Sequence, residues 1–401
     1  MGEPHNAAAW LVDRHVDGDR GDRVAIRCDG RDTTYAELLA EMFRVQHALD
    51  DLGVAAGDRV ALVLDDDLTF LSWFLGSLRS GIVPVPLSTM LTGPELGPIV
   101  ADSGAETVVV SETHVGTVPD VSAAAPSLRS VVVGGSAAAA GETGATVVED
   151  ASFAERSDTP VAATTTDSPA FWLYSSGTTG MPKGVMHVHG SPKATADTYA
   201  HEVLRIGPDD RCLSVAKLFF AYGLGNSLTF PLSVGATAVL CPRPPTPTSF
   251  VELVAAERPT LLFSSPGFCA ALLDTGPPDG TFDSVRATVT AGESLPADVQ
   301  RRFAALTGSP VLDGIGSTEL LHIFISNTLD AQTPGSSGSP VPGYRAELRD
   351  DAGEVVTETD TPGYLYVQGP SAAVGYHERP DATAAAFVDG WVRTGDVYTL
   401  S

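Results

Sequence analysis

The stretch that most constrains this chain runs from Tyr174 to Gly184 and reads Tyr-Ser-Ser-Gly-Thr-Thr-Gly-Met-Pro-Lys-Gly. It follows a short apolar run, residues 170–174, that is typical of a buried strand. Its glycines allow the backbone to turn several N–H groups into one concavity, a geometry that favours an anion. Its hydroxyls add donors, and Lys183 adds a positive charge. The pattern predicts a loop that binds a polyphosphate.

The spacing within this loop separates two classes of phosphate site. A Walker loop requires G-x-x-x-x-G-K-[ST], whereas Gly177, Gly180 and Lys183 give G-x-x-G-x-P-K-G. A P-loop kinase or GTPase is therefore disfavoured. A flexible Gly/Ser/Thr linker is the simpler alternative. The strand-like run before the loop and residues 185–189 after it are not typical of a linker.

Composition restricts the possible partners. The chain has 401 residues and a formal net charge of -26, which disfavours nucleic acid and anionic membranes as partners. Positive potential must then be concentrated where a phosphate binds. The four cysteines lack metal-binding spacing and are expected to be free thiols in a reducing cytoplasm. Because we find no signal peptide and no apolar run of transmembrane length, we expect a cytoplasmic protein.

The order of apolar runs predicts the fold class. A strand at 58–64, a helix at 68–80 and a further strand form a unit typical of parallel sheets. Residues 136–166, rich in small residues, are expected to form a surface excursion. Short alternating segments after residue 327 predict a small β-barrel. We predict an α/β protein with two helix-flanked, mainly parallel sheets and a small barrel, divided into residues 1–166, 167–326 and 327–401.

The phosphate loop resembles a signature of the adenylate-forming superfamily, which includes acyl- and aryl-CoA synthetases, adenylation domains and luciferases. Members activate a carboxylic acid with ATP as an acyl-AMP and then pass the acyl group to a thiol. The resemblance implies that ATP is held by a set of loop residues: Ser175, Ser176, Gly177, Thr178, Thr179, Gly180 and Lys183.

A second stretch, Asp-Gly-Ile-Gly-Ser-Thr-Glu at 313–319, resembles the part of the family that holds adenine, phosphate and metal. The resemblance implies that Gly314 and Ile315 contact the nucleotide, that Thr318 donates to the α-phosphate, and that Glu319 holds Mg²⁺. Many members carry an aromatic residue at the position of Ile315, so adenine stacking is expected to be weaker or different here. One carboxylate with phosphate oxygens and water is an ordinary magnesium site. The simpler alternative for Glu319 is a carboxylate favoured at the start of a helix.

A third stretch, Gly-Trp-Val-Arg-Thr-Gly-Asp at 390–396, resembles the closing signature of the family. Its aspartate accepts hydrogen bonds from both ribose hydroxyls, a role that the resemblance assigns to Asp396. A carboxylate suits a vicinal diol because each oxygen can accept one O–H. The simpler alternative is an aspartate in a turn.

Two stretches, 217–225 and 319–326, look closest to those of benzoate–CoA ligases. Small residues beside an aromatic wall form a flat slot that suits a planar ring. We predict Lys217 to be a catalytic residue that pairs with the incoming carboxylate. The alternative is that Lys217 forms a structural ion pair. His322 is either a pocket residue or a buried core histidine. The resemblance implies a pocket for the acid lined by Ala221, Tyr222, Gly292, Gly316, His322 and Ile323.

The resemblance implies an AMP-forming acid–thiol ligase that uses ATP and Mg²⁺ on an aromatic acid, benzoate or a close relative. The thiol belongs to CoA or to the phosphopantetheine of a carrier protein. Substituted benzoates and arylacrylates are alternative acids, and a non-catalytic aryl-acid or nucleotide-binding module is the alternative function. Members continue into a C-terminal domain whose lysine bridges carboxylate and phosphate, whereas this sequence stops at Ser401. We therefore expect slow turnover by this chain alone.

Overall fold

The computed structural model describes residues 2–154, 159–175 and 180–400. Its strands within these residues are β1 (Val24–Cys28), β2 (Arg31–Thr34), β3 (Arg59–Val63), β4 (Val83–Pro86), β5 (Thr107–Val110), β6 (Ser130–Val133), β7 (Thr146–Glu149), β8 (Pro169–Ser175), β9 (Lys183–Val188), β10 (Arg211–Ser214), β11 (Thr237–Leu240), β12 (Leu261–Ser264), β13 (Ala287–Thr290), β14 (Val311–Gly316), β15 (Ile323–Ser326), β16 (Ser339–Pro340), β17 (Arg345–Arg349), β18 (Gly363–Gln368), β19 (Phe387–Val388) and β20 (Trp391–Tyr398).

The α-helices of the described residues alternate with these strands over most of the chain. They are α1 (Arg14–Asp17), α2 (Tyr35–Asp51), α3 (Leu68–Arg79), α4 (Gly93–Ser103), α5 (Val118–Ala124), α6 (Gly190–Thr195), α7 (Ala221–Leu224), α8 (Phe230–Val234), α9 (Pro247–Glu257), α10 (Pro266–Asp274), α11 (Ala297–Thr307) and α12 (Pro380–Ala386). Among these residues no helix has both the length and the apolar character needed to cross a membrane. All four cysteines lie in the described part of the chain and are free thiols.

One sheet is wholly parallel and has the strand order β4-β3-β5-β6-β7. Its side chains alternate between two cores: Val60 and Leu62 pack with α2 and α3, and Ala61 and Val63 pack with α4 and α5. The edge strand β7 lies in the segment that we expected to be a surface excursion. Residues 146–149 depart from that expectation because their Thr-Val-Val-Glu run pairs with β6 along its whole length, at the partly exposed edge of the sheet.

The second sheet has the order β16-β15-β14-β13-β12-β10-β11-β1-β2 and is parallel from β14 to β1. Antiparallel strands close both edges. The N-terminal strand β1 pairs with β11, so the segment 1–166 contributes strands to both sheets. The proposed division into subdomains stays a prediction. The predicted fold class is confirmed by these two sheets and by a small antiparallel sheet, β17-β18-β20-β19.

Local sequence explains how the helices that cover the first sheet form. The side chain of Thr34 accepts the N–H of Glu37, and the Glu37 carboxylate accepts the N–H of Thr34, which together start α2. The apolar face of α2 then packs on α3. A Cβ on Gly76 would lie 2.8 Å from Cγ1 of Val45, so this close approach requires glycine in α3.

Candidate active site

The site is assembled where the parallel strands of the second sheet end. β10, β12, β13 and β14 lie side by side, so the residues that follow their carboxyl ends meet at one edge. These residues include Lys217 after β10, Ser265 after β12, Gly292 after β13 and Ser317 after β14. Two cavities open along this edge, and both are lined by Gly292 and Gly316.

The first cavity has a volume of about 460 Å³ and a mainly apolar wall. The structure brings all the residues predicted for the acid around it: Ala221, Tyr222, Gly292, Gly316, His322 and Ile323. Their role in binding stays a prediction. The sequence did not reveal Met90 and Phe220, which also line the cavity and are 63% and 45% exposed. Met90 follows β4 of the other sheet, so no local pattern relates it to this site.

The inner wall of this cavity is a cluster of aromatic rings around His322. The ring centroids of Phe230 and Tyr222 lie 4.4 and 5.4 Å from that of His322. Nε2 of His322 is 3.0 Å from Oδ1 of Asn226, and the imidazole is 2% exposed. Burial lowers the pKa of His322 to about 3, which keeps the imidazole neutral. His322 is therefore both a buried core histidine and part of the cavity wall.

Lys217 lines the same cavity, but its ammonium is occupied by protein oxygens. Nζ lies 2.7 Å from the carbonyl oxygen of Cys241, 3.1 Å from that of Pro242 and 3.2 Å from Oδ2 of Asp66. These three acceptors match the three hydrogens of an ammonium group. Asp66 also accepts the N–H of Leu218 at 3.2 Å. This arrangement favours the structural ion pair, the second of the two alternatives for Lys217, and the catalytic role of Lys217 stays a prediction.

The second cavity, of about 440 Å³, has a more polar wall and contains three residues predicted to bind the nucleotide: Gly314, Ile315 and Asp396. Asp396 lies on β20 and is exposed, so its carboxylate is open to a ligand. Asp313 lies deeper, and its Oδ1 accepts a 3.0 Å hydrogen bond from Thr290. Burial raises the pKa of Asp313 to about 6, and the bond from Thr290 only partly offsets this effect.

Thr318 and Glu319 lie on a short 3₁₀ turn, Thr318–Leu320, between the two cavities and the start of β9. Thr318 lines the acid cavity. Tyr376 donates a 2.8 Å hydrogen bond to Oε1 of Glu319, and Nζ of Lys183 lies 5.0 Å from the centre of the Tyr376 ring. A carboxylate and an ammonium group, both predicted to contact phosphate or its metal, therefore lie near the same tyrosine.

The predicted phosphate loop connects β8 and β9, which pair antiparallel through Ser175 and Lys183. The buried strand predicted before the loop is confirmed as β8. Gly180 has a φ of +130°, a conformation that favours glycine. Ser176, Gly177, Thr178 and Thr179 lie outside the described residues, so their predicted contacts with ATP stay predictions.

Comparisons with known proteins agree with this geometry. Residues 12–377 match the family described as AMP-binding enzyme. The chain belongs to this family. A benzoate–CoA ligase of Thauera aromatica is 40% identical over 402 residues, which cover 100% of this chain and 75% of the relative. A 4-hydroxybenzoate–CoA/benzoate–CoA ligase of Rhodopseudomonas palustris is 42% identical over 400 residues, 98% of this chain and 72% of that protein.

Solved structures of CoA ligases are similar to this chain in sequence and in fold. A benzoate CoA ligase from Burkholderia xenovorans LB400 is 38% identical, with a TM-score of 0.89 over 98% of this chain and 77% of that one. The anthranilate CoA ligase AuaEII, in complex with anthranoyl-AMP, is 30% identical, with a TM-score of 0.93 over 100% of this chain and 77% of that one. The resemblance inferred from the three signatures is confirmed, and it agrees with the predicted enzyme class, an AMP-forming acid–thiol ligase.

The residues present fit the metal that AMP-binding enzymes use with ATP. In the described part of the chain no group of three or more His, Cys, Asp or Glu side chains has the arrangement of a metal site. Glu319 would therefore share Mg²⁺ with phosphate oxygens and water, the usual coordination of Mg²⁺ at a nucleotide. Its Oε1 is already oriented by the hydroxyl of Tyr376. A single oriented carboxylate suits this coordination, and the assignment of Glu319 as the metal ligand stays a prediction.

Proposed function

We propose that this chain activates an aromatic carboxylic acid, benzoate or a close relative, with ATP as an aryl-AMP. The thiol of CoA then attacks the carbonyl carbon of this adenylate, which forms the aroyl thioester and releases AMP. One observation carries the proposal: an apolar cavity and a cavity that holds Asp396 adjoin through Gly292 and Gly316. An aromatic ring in the first would bring its carboxylate beside the α-phosphate of a nucleotide in the second. Relatives named as benzoate and anthranilate CoA ligases support this use of the site.

In this mechanism the nucleophile is the carboxylate of the acid, so the protein needs no nucleophilic side chain. One carboxylate oxygen attacks the α-phosphorus, the bond to the β-phosphate breaks, and pyrophosphate leaves with the electron pair. Thr318 donates a hydrogen bond to the α-phosphate, and Asp396 accepts hydrogen bonds from the ribose hydroxyls. Glu319 would hold Mg²⁺, which would neutralise part of the phosphate charge when bound. The contribution of the chain is positioning and electrostatic stabilisation.

The cavity wall favours an unsubstituted ring. The hydroxyl of Tyr222 donates to the carbonyl oxygens of Ser264 and Val289, at 3.3 and 3.1 Å. Nε2 of His322 is engaged with Asn226. Both side chains therefore direct their donors at the protein and present ring surface to the acid. Nδ1 of His322 has no hydrogen-bond partner among the described residues, so a substituent that reached it could gain an acceptor. A hydroxyl or amino group elsewhere along these rings would lose water without gaining a partner, so we propose benzoate as the preferred acid.

CoA is the proposed acceptor because the relatives reported above are named as CoA ligases. They give no support to a carrier protein, the other acceptor predicted from the sequence. A cytoplasmic location stays a prediction.

The proposal is tested by calorimetric titration of this chain with benzoate, 4-hydroxybenzoate, 2-aminobenzoate and a long-chain fatty acid, each with and without Mg-ATP. We expect benzoate to bind about tenfold more tightly than the substituted acids, as a buried group without a partner costs about 1–3 kcal/mol. We expect no heat with the fatty acid. Tighter binding of a substituted acid would contradict the choice of benzoate. Absence of binding by all the aromatic acids would contradict the proposed function.

A further inference from the structure

Each backbone carbonyl oxygen of the Thr318–Leu320 turn accepts a hydrogen bond from a residue outside the turn. Nε2 of His187 lies 2.8 Å from the carbonyl oxygen of Thr318. The N–H of Ala373 donates to Glu319 O at 2.8 Å, and Oγ of Ser371 donates to Leu320 O at 2.6 Å. The turn therefore makes one hydrogen bond through each residue to a part of the chain that lies far away in sequence.

The backbone after this turn shows why such support is needed. Leu321 has φ 66° and ψ -29°, and the N–H of His322 donates to Leu320 O at 2.8 Å, two residues back. This is a γ-turn centred on a residue with positive φ, a strained conformation for leucine. A strained turn persists only when the surrounding contacts fix it. It separates Glu319 on the nucleotide side from His322 in the wall of the acid cavity.

The geometry of His187 fixes its role as a donor. A carbonyl oxygen can only accept, so Nε2 carries the hydrogen. The imidazole is 1% exposed and stacks on Phe171, with ring centroids 5.2 Å apart. Ser371 is 0% exposed, and its hydroxyl also bonds to that of Tyr344 at 2.6 Å. Neither residue lines the two cavities, so each acts on the site only through the turn.

The two supports belong to one structural unit. His187 lies on β9, which leaves the phosphate loop. The residues after Ser371 continue into a segment that bonds to β9, since the N–H of Val374 donates to Met186 O and the N–H of His377 donates to Gly184 O. The strand that carries Lys183 and the segment that carries Tyr376 therefore both hold the turn.

We propose that His187 and Ser371 are positioning residues that fix the Thr318–Leu320 turn and so place Thr318 and Glu319 for the metal-bound nucleotide. The inference rests on the proposed function, because it concerns how that site is held. The hydrogen-bond donor at position 187 holds the turn, rather than the imidazole ring itself.

The test compares His187→Leu, which removes the donor, with His187→Gln, whose amide N–H can occupy the position of Nε2. The affinity for α,β-methylene-ATP is measured by calorimetry with and without Mg²⁺, together with the affinity for benzoate and the melting temperature. His15→Leu and His15→Gln are matched controls, since Nε2 of His15 lies 2.7 Å from Leu232 O, the residue is 4% exposed, and it lines neither cavity of the site.

We expect His187→Leu to weaken binding of the nucleotide with Mg²⁺ about tenfold, as one buried hydrogen bond is lost. Benzoate affinity should stay within about twofold, and His187→Gln should restore nucleotide binding to within about threefold. The His15 variants should change only the melting temperature. If His187→Leu does not fold, Ser371→Ala removes another donor to the same turn, with the same expected loss.

Two results would overturn the positioning role. One is nucleotide affinity in His187→Leu equal to that of the unchanged chain. The other is equal weakness of the Leu and Gln variants at an unchanged melting temperature. A loss of benzoate and nucleotide binding in parallel with melting temperature would show a general structural role instead. Failure of the unchanged chain to bind either ligand would contradict the proposed function itself and be seen before any variant is compared.

Discussion

The hydroxyl of Tyr376 donates a 2.8 Å hydrogen bond to Oε1 of Glu319, across 57 positions of sequence. Burial and then the charge of Glu319 raise the pKa of this phenol, so it remains a donor at physiological pH. The carboxylate proposed to hold Mg²⁺ is therefore oriented by a neutral group that does not compete with the metal for its charge.

Tyr376→Phe should isolate this effect, because the ring beside Lys183 is retained and only the hydroxyl is lost. We expect Mg²⁺-dependent nucleotide affinity to fall about tenfold, since a hydrogen bond to a charged group contributes about 1.5–3 kcal/mol. Benzoate affinity should not change. Tyr35→Phe is the matched control, as Tyr35 donates a bond of equal length to Ala236 O away from both cavities. Calorimetry that gave both variants the same nucleotide affinity would contradict the orienting role.

The ion pair of Lys217 and Asp66 gives a second prediction. Lys217→Met should lower the free energy of unfolding by about 3 kcal/mol, because Asp66 would be left buried without its counterion. Adding Asp66→Asn should restore part of this loss. Benzoate affinity in the double variant should match that of Asp66→Asn within about threefold.

Urea unfolding and benzoate titration of all four members of this cycle provide the measurement. If the double variant regains stability but loses benzoate binding as completely as Lys217→Met, Lys217 contacts the carboxylate of the acid. That outcome would favour the first alternative for this residue over the structural ion pair.

Candidate site residues that belong to a local pattern could be predicted from the sequence. Glu319 and Asp396 each lie in a short stretch with a recognisable order of residue types. In the structure Glu319 follows Thr318, which lines the first cavity, and Asp396 lines the second. The strand before the phosphate loop was likewise predicted from consecutive apolar residues. In each case, the information lies within about ten residues of the chain.

The remaining features depend on contacts between distant segments. The cation Lys217 was visible in the sequence, but its counterion Asp66 lies 151 positions away, just after β3 of the other sheet. Met90 also lines the acid cavity through a contact between segments that are distant in sequence. The pairing of β1 with β11 also joins segments far apart in sequence. Local periodicity predicts a strand but not its neighbour, so such contacts could not be derived from this sequence alone.

Asp313 provides a prediction about pH. Its folded-state pKa is raised to about 6, whereas an unfolded aspartate titrates near 3.9, so between these values the folded state binds more protons. Its ionisation therefore costs stability as pH rises from about 4 to about 6. Asp313→Asn lacks this cost. The unfolding free energy of Asp313→Asn minus that of the unchanged chain should therefore increase by about 2 kcal/mol as pH rises through that window.

Asp210→Asn is the control with the opposite sign. Burial opposes ionisation of Asp210, but bonds from Arg286, Thr260 and Gly207 outweigh it and lower the pKa. The stability that this carboxylate contributes is present above about pH 4 and is lost as pH falls further, so the asparagine variant should be relatively less stable at neutral pH. Urea unfolding from about pH 2 to about pH 8 covers both windows and measures both variants. The same pH trend in both would contradict the burial effect assigned to Asp313.

The last prediction concerns the contact between Gly225 and His322. Gly225 has ordinary helical angles, φ -61° and ψ -56°, so alanine is compatible with its backbone. A Cβ there would nevertheless lie 2.3 Å from Cδ2 of His322, too close for the two groups to coexist. The imidazole cannot retreat, because it packs on Phe230 with ring centroids 4.4 Å apart and bonds to Asn226.

Gly225→Ala should therefore force the imidazole toward the acid cavity and weaken benzoate binding by about tenfold or more, since overpacking a buried site costs about 1–3 kcal/mol. Nucleotide affinity should stay unchanged, because His322 does not line the second cavity. Gly207→Ala is the control, as nothing lies within 4 Å of its added Cβ. The double variant Gly225→Ala/His322→Ala lacks the displaced imidazole, so it should again have room for the aromatic ring of benzoate. Unaltered benzoate affinity in Gly225→Ala, measured beside the Gly207 control, would show that the wall around His322 does not set the fit of the acid.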